Sequence, residues 1–105
     1  MVSVTFFKNR KDYFSGFSLI GHAGMGDYGK DVVCAAVSSA VYMVINTLTD
    51  IVRIVPENLR VEDGMVLLML KEYDFNACRN LLLGFRLHIL ALSKQYPRFI
   101  SVKFE

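Results

Sequence analysis

The sequence predicts an α+β fold, a two-layer domain with a mostly antiparallel sheet packed with two helices. Three observations carry this prediction. The first and last stretches alternate apolar and polar residues with a period of two, an Asp-Gly pair separates two apolar runs, and two long segments read as helices. The order is strand, strand, helix, hairpin, helix, strand; it does not fix the order of strands in the sheet. With 105 residues, 53% of them hydrophobic, the chain suits one domain, 1–105, and is too apolar for a disordered tail. It carries no internal repeat, low-complexity run or linker.

Val2, Val4 and Phe6 alternate with Ser3, Thr5 and Phe7, as in a half-buried strand. Asn9-Arg10-Lys11-Asp12 is a polar turn, and Lys8, Arg10 and Lys11 are most simply solvated there. Tyr13 to Gly21 reads as a second strand, paired with the first as a hairpin, with Gly16 a candidate bulge. Val32 to about Leu48 is a helix, apolar on nearly every side and capped by Asp31. Ser38, Ser39, Asn46 and Thr47 interrupt it, and it falls short of the roughly 20 residues that span a bilayer, so it reads as a core helix. Asp50 to Pro56 gives no clear signal. Leu59 to Glu62 and Met65 to Leu70 flank Asp63-Gly64, a pair suited to the turn that matches strand twist. Met65 to Leu70 does not alternate, which predicts a central strand buried on both faces. Asp74 suits a second N-cap, and Phe75 to about Gln95 forms a helix striped by Phe75, Cys78, Leu82, Phe85, Ile89 and Leu92. Pro97 ends it, and Phe99 to Phe104 alternates as the last strand.

The chemistry is concentrated in Gly21-His22-Ala23-Gly24-Met25-Gly26-Asp27-Tyr28-Gly29-Lys30-Asp31-Val32-Val33-Cys34. His22 stands at the exit of the second strand, a glycine-punctuated loop follows, and Cys34 is the third residue of the helix capped by Asp31. This ordering suits a Cys-His catalytic pair built from two separate elements. The thiolate is the reactive form of cysteine, and a free cysteine keeps its proton until roughly pH 8.5. Unpaired N–H groups at a helix start and a neighbouring imidazolium both favour the thiolate, and the same N–H groups suit an oxyanion. Asp31, Cys34 and Ser38 share one helix face, which makes Asp31 a candidate to orient His22 and Ser38 a candidate hydrogen-bonding support. A carboxylate beside a thiolate also opposes its ionisation, so Asp31 acts in both directions. Gly24, Gly26 and Gly29 suit a loop that orders over a substrate, with Met25 and Tyr28 placed to touch a substrate side chain.

Other readings stand beside this one. A cysteine in an apolar helix is usually inert core. The glycine loop before a helix outlines a phosphate cradle, yet it lacks the G-x-x-x-x-G-K-[ST] spacing, with Asp31 where the hydroxyl residue belongs. Gly24 to Gly29 matches G-x-G-x-x-G, but the chain is too short for a dinucleotide fold, and Asp27 and Asp31 would face the pyrophosphate. A zinc site drawn from His22, Cys34, Cys78 and His88 would lack the short ligand pairs of structural zinc sites. A thiol-based redox or transferase role is a further alternative, and the absence of a resolving cysteine near Cys34 counts against redox chemistry.

Gly21-His22-Ala23-Gly24, Asp27-Tyr28-Gly29-Lys30-Asp31 and Val33-Cys34-Ala35-Ala36-Val37-Ser38 together resemble the signature of the ribosomal-processing cysteine proteases, the Prp or YsxB-like family. The resemblance covers the whole chain in length and in the order of its segments. Members commonly carry Glu before the Tyr-Gly pair, so Asp27 is a conservative departure, and Met25 falls where members vary. The resemblance implies a cysteine endopeptidase that removes a short N-terminal extension from bacterial large-subunit ribosomal protein twenty-seven. It implies Cys34 as nucleophile, His22 as its partner, and a homodimer. The alternative is a non-catalytic module that binds a ribosomal protein or an assembly intermediate.

The formal charge of +2 is too small to argue for nucleic acid, and no direct nucleic-acid or membrane partner is expected. Two cysteines and no apolar signal segment at the start argue against a secreted disulfide scaffold, so a reducing cytoplasm is expected. Neither cofactor nor metal is expected.

Overall fold

The alternating strands assemble into one five-stranded sheet that the two helices cover on one face. The computed structural model describes residues 1–9, 14–21 and 28–105, with side chains described for all of these except 28–31. The strands are β1 (Val2–Lys8), β2 (Phe14–Ile20), β3 (Asn58–Glu62), β4 (Met65–Met69) and β5 (Ile100–Phe104), and the helices are α1 (Tyr28–Asn46) and α2 (Phe75–Gln95). The sheet order is β3-β4-β2-β1-β5. Only β1 and β5 run parallel; the other three pairs are antiparallel. Most of the predicted polar turn, at residues 10–12, and Tyr13 lie outside the described residues.

Burial follows the predicted period of two. Val2, Val4 and Phe6 of β1 are buried, as are Phe17 and Leu19 of β2, Val66 and Leu68 of β4, and Ile100 of β5. On α1, Val33, Val37, Val41, Val44 and Leu48 recur at spacings of three and four and are buried in the same core. On α2, Cys78, Leu82, Phe85 and Ile89 are buried, while Phe75 and Leu92 pack against them, so all six residues of the predicted stripe meet the core. Aromatic contacts tie α2 to the sheet. Phe85 lies 4.7 Å from Phe17 and 5.6 Å from Phe6 between ring centroids, and Phe6 also stacks with Phe104 at 5.6 Å.

Four local expectations are revised. The bulge falls beside Gly16 rather than on it: Gly16 pairs with Phe7 and Phe14 with Lys8, which leaves Ser15 as the extra residue, its hydroxyl donating to the Phe7 carbonyl at 3.2 Å. β4 is an internal strand, yet only one of its faces is fully buried; Met65, Leu67 and Met69 are half-buried because helices cover only the other side. Gly64 alone takes a left-handed φ, 77°, so the Asp63-Gly64 turn is not the doubly left-handed type that the pair favours. Asp74 stands at the N-cap of α2, but its side chain makes no capping bond.

The end of α1 also differs from expectation. The helix continues through a π-helical turn, Thr47–Ile51, in which the Thr47 and Thr49 hydroxyls donate back to the Met43 and Ile45 carbonyls at 2.7 and 3.1 Å. The helical stretch Val32–Ile51 therefore reaches 20 apolar-rich residues, long enough by length and composition to cross a membrane, and longer than the sequence suggested. Its buried valines account for that apolarity by their place in the core. The stretch is closed by Arg53 at φ 64°, followed by an Ile54 N–H donating to the Leu48 carbonyl at 3.0 Å, while Ile54 packs on the core. This seven-to-one bond is one residue wider than the six-to-one bond of a Schellman ending, as suits a π-helical turn, and arginine takes the left-handed position where glycine is favoured.

A non-glycine residue in this conformation is strained by roughly 1–2 kcal/mol. Arg53→Gly should stabilise the fold by about 0.5–1 kcal/mol once the extra freedom of glycine in the unfolded chain is deducted. Thermal unfolding checks this, and an upward shift of a few degrees is the expected result.

Candidate active site

The site is built where three elements converge. Cys34, Ser38 and Tyr42 are spaced four apart on α1 and line one cavity of ≈ 440 Å³. The end of β2 contributes Leu19 and Gly21, and the tip of the β3–β4 hairpin closes the opposite wall with Val61 to Val66. Cys34 is half-buried at this wall, neither sealed in the core nor fully exposed.

Gly21 fixes how β2 enters the site. Its N–H donates to the Gly64 carbonyl at 3.0 Å, which ties the strand exit to the hairpin turn. Its φ is 126°, and a Cβ built there would fall 2.4 Å from the Met1 carbonyl oxygen. Only glycine satisfies both the conformation and the close approach. The next residue in the chain is His22. His22 itself, with Gly24, Met25 and Gly26, lies outside the described residues, as do the side chains of Tyr28 and Asp31. Gly29 belongs by its backbone to the first turn of α1.

One element of the expected geometry changes. α1 begins at Tyr28, so Asp31 is its fourth residue rather than its cap, and Cys34 is its seventh. The unpaired N–H groups of a helix belong to its first four residues, and the dipole acts mainly within that first turn. Cys34 lies one turn further in. The helix start is therefore a weaker source of thiolate and oxyanion stabilisation at Cys34 than the sequence suggested. The shared face of Cys34 and Ser38 stands, because both line the same cavity.

Sequence reasoning did not single out Tyr42, Val61, Asp63 or Gly64 as site residues. Tyr42 was within reach, since it continues the four-residue spacing of Cys34 and Ser38. The hairpin residues carry no such local signal; the pairing of β4 with β2 brings them to the cavity. The three described members of the zinc combination are not brought together. Cys34 lines the hairpin cavity, Cys78 is in the core, and His88 lines a separate cleft between α1 and α2; among the described residues no group of three metal-ligating side chains forms.

The two thiols differ in kind. Cys78 is fully buried, and burial, with the Asp74 carboxylate as a smaller contribution, pushes its thiol above the ordinary value of 9.0. Both causes disfavour the thiolate, so Cys78 is an unreactive core residue. The folded state thus holds this proton more tightly than the unfolded chain does. Stability from this source is intact below about pH 9 and falls as pH rises above it, where the unfolded thiol ionises first. Thermal melts between about pH 8 and pH 10.5 should show a steeper alkaline loss of Tm for the parent than for Cys78→Ala. Parallel curves would show that Cys78 does not contribute.

The comparisons agree with this architecture. The family model described as "Cysteine protease Prp" matches residues 1–101. An essential ribosomal processing protease, Prp from S. aureus, in complex with a substrate peptide, superposes with a TM-score of 0.90 at 19% identity, covering 100% of both chains. The same protease with a covalently linked product peptide gives 0.86 at 20% identity, again over 100% of both chains. SMU.848 from Streptococcus mutans gives 0.87 at 28% identity, over 99% of this chain and 96% of that one. No curated protein matches significantly.

Proposed function

The chain belongs to the Prp family of cysteine proteases, and on that premise we propose that it is an endopeptidase whose nucleophile is Cys34 and whose general base and acid is His22. The observation that carries the reading is the placement of Cys34. It is the half-buried thiol of a cavity large enough for peptide side chains, while the other cysteine is sealed in the core. The exit of β2 at Gly21 supports the partner assignment, because the residue that follows is the imidazole.

In this mechanism the Cys34 thiol gives its proton to His22, and the sulfur attacks the scissile carbonyl. The C–N bond breaks as His22 protonates the leaving amine. Water, deprotonated by the same imidazole, then attacks the thioester and releases the thiol. Ser38 supports the site by hydrogen bonding one turn from Cys34, and Asp31 orients His22. Met25, and Tyr28 at the start of α1, contact substrate side chains in this reading. The hairpin tip completes the wall opposite the nucleophile.

The substrate in this reading is the N-terminal extension of bacterial large-subunit ribosomal protein twenty-seven. What supports it is the motif resemblance, together with the similarity to a ribosomal processing protease. The proposal includes a cytoplasmic homodimer and needs no cofactor, metal, membrane or nucleic acid. Exposed apolar side chains on the helices, Met43 and Leu87 among them, offer surface for such a dimer.

The test is mass spectrometry of that ribosomal-protein precursor after incubation with the parent and with Cys34→Ala and His22→Ala variants. Cleavage at one site by the parent is expected. Cys34→Ala should abolish it, and His22→Ala should slow it by at least about 100-fold. No cleavage by the folded, reduced parent would favour the non-catalytic binding module.

A further inference from the structure

The cavity at Cys34 is continuous with an unused sheet edge. β3 is the terminal strand of the sheet, paired only with β4 on one side, and no strand flanks its other side among the described residues. All five of its residues are exposed. Native proteins usually blunt such an edge, because it presents a row of unpaired backbone donors and acceptors.

The register shows which groups face outward. The two-residue Asp63-Gly64 turn closes on the pair Glu62 and Met65. A turn of this length joins a hydrogen-bonded pair, and pairs alternate along an antiparallel ladder. Glu62, Arg60 and Asn58 therefore commit their N–H and C=O groups to β4. Leu59 and Val61 turn theirs to the free side. The side chains of Leu59 and Val61 lie in the same rows as the buried Leu68 and Val66, on the helix side of the sheet, yet they are 39% and 46% exposed. Val61 is also part of the cavity wall that faces Cys34, Ser38 and Tyr42. Outward amides, uncovered apolar side chains and a nucleophile-bearing cavity thus share one corner of the molecule.

We propose that the peptide substrate docks as a sixth strand along β3, exchanging main-chain hydrogen bonds with Leu59 and Val61. Its alternate side chains then fall on the helix side of the sheet, against Leu59, Val61 and Tyr42. The preferred substrate is an extended segment with apolar residues at every second position, its scissile bond carried past the hairpin tip to Cys34. Main-chain bonds supply affinity, and the cavity selects the side chains. The inference rests on the proteolytic reading of the same site.

Amide hydrogen exchange tests it, with Cys34→Ala as a binding form that does not cleave and a synthetic peptide spanning the extension and the first mature residues of ribosomal protein twenty-seven. The Leu59 and Val61 amides should exchange quickly in the free protein and slow by at least about tenfold on saturation with peptide, whereas the Arg60 amide is protected throughout. Binding without added protection at Leu59 and Val61 overturns the proposal. So does protection already present in the free protein, which would mean that a second copy or another segment covers the edge. Failure of the peptide to bind overturns it as well. Val61→Pro provides a second measure, because proline is tolerated at an outward N–H of an edge strand. It should lower kcat/KM by about tenfold with Tm little changed; an unchanged kcat/KM argues against docking here. Cleavage by the parent is scored separately. If the parent cleaves but Leu59 and Val61 stay unprotected, only the docking mode fails; if they are protected without cleavage, only the catalytic reading fails.

Discussion

The pairing of β2 with β4 is the constraint on which the site depends. Its register sets Ile20 opposite Met65, so the next step along each strand brings Gly21 to Gly64. That step places the hairpin turn beside the exit of β2 and opposite Cys34. The side-chain period of two makes this register hard to slip, because a shift of one residue would turn Leu19, Val66 and Leu68 away from the core. Gly21 tolerates no side chain at this junction, since a Cβ there would strike the Met1 carbonyl. The first strand thus takes part in holding the site, although it contributes no group to the cavity wall.

The same core separates the two thiols. α2 seals Cys78 between the sheet and its own stripe, where burial holds the proton on sulfur. α1 carries Cys34 beside buried Val33, so the thiol lies at the margin of the core and faces the hairpin cavity. One helix position decides which cysteine meets the outside. The long apolar character of α1, which resembles a spanning segment by composition, has a direct cause in the row of valines that covers the sheet.

Much of the fold was legible in the sequence because it depends on short-range patterns. Alternation located β1 and β5, the six-residue stripe located α2, and Asp63-Gly64 located the hairpin. The parallel pairing of β1 with β5 was not legible, because it joins the two ends of the chain and no local pattern encodes it. Burial on both faces was wrongly expected for β4, since an unbroken apolar run does not distinguish a buried face from a half-covered one. The start of α1 was read four residues late. Asp31 is a strong capping residue by type, and Gly29 read as loop, yet the helix includes both. At the site, Cys34 and Ser38 were found by helical spacing, whereas Val61, Asp63 and Gly64 reach the cavity only through tertiary pairing.

The central claim is that Cys34 is a nucleophile activated by its surroundings, independently of which peptide it cuts. The most direct measurement is the rate of iodoacetamide alkylation at each cysteine across about pH 5–9, read by peptide mass mapping in the parent and in His22→Ala. The account predicts that Cys34 reacts at least about 100-fold faster than Cys78 at neutral pH, and that His22→Ala removes most of that advantage below pH 7 while the fold persists. Equal sluggishness of both thiols, or a Cys34 rate that is indifferent to His22, would contradict it.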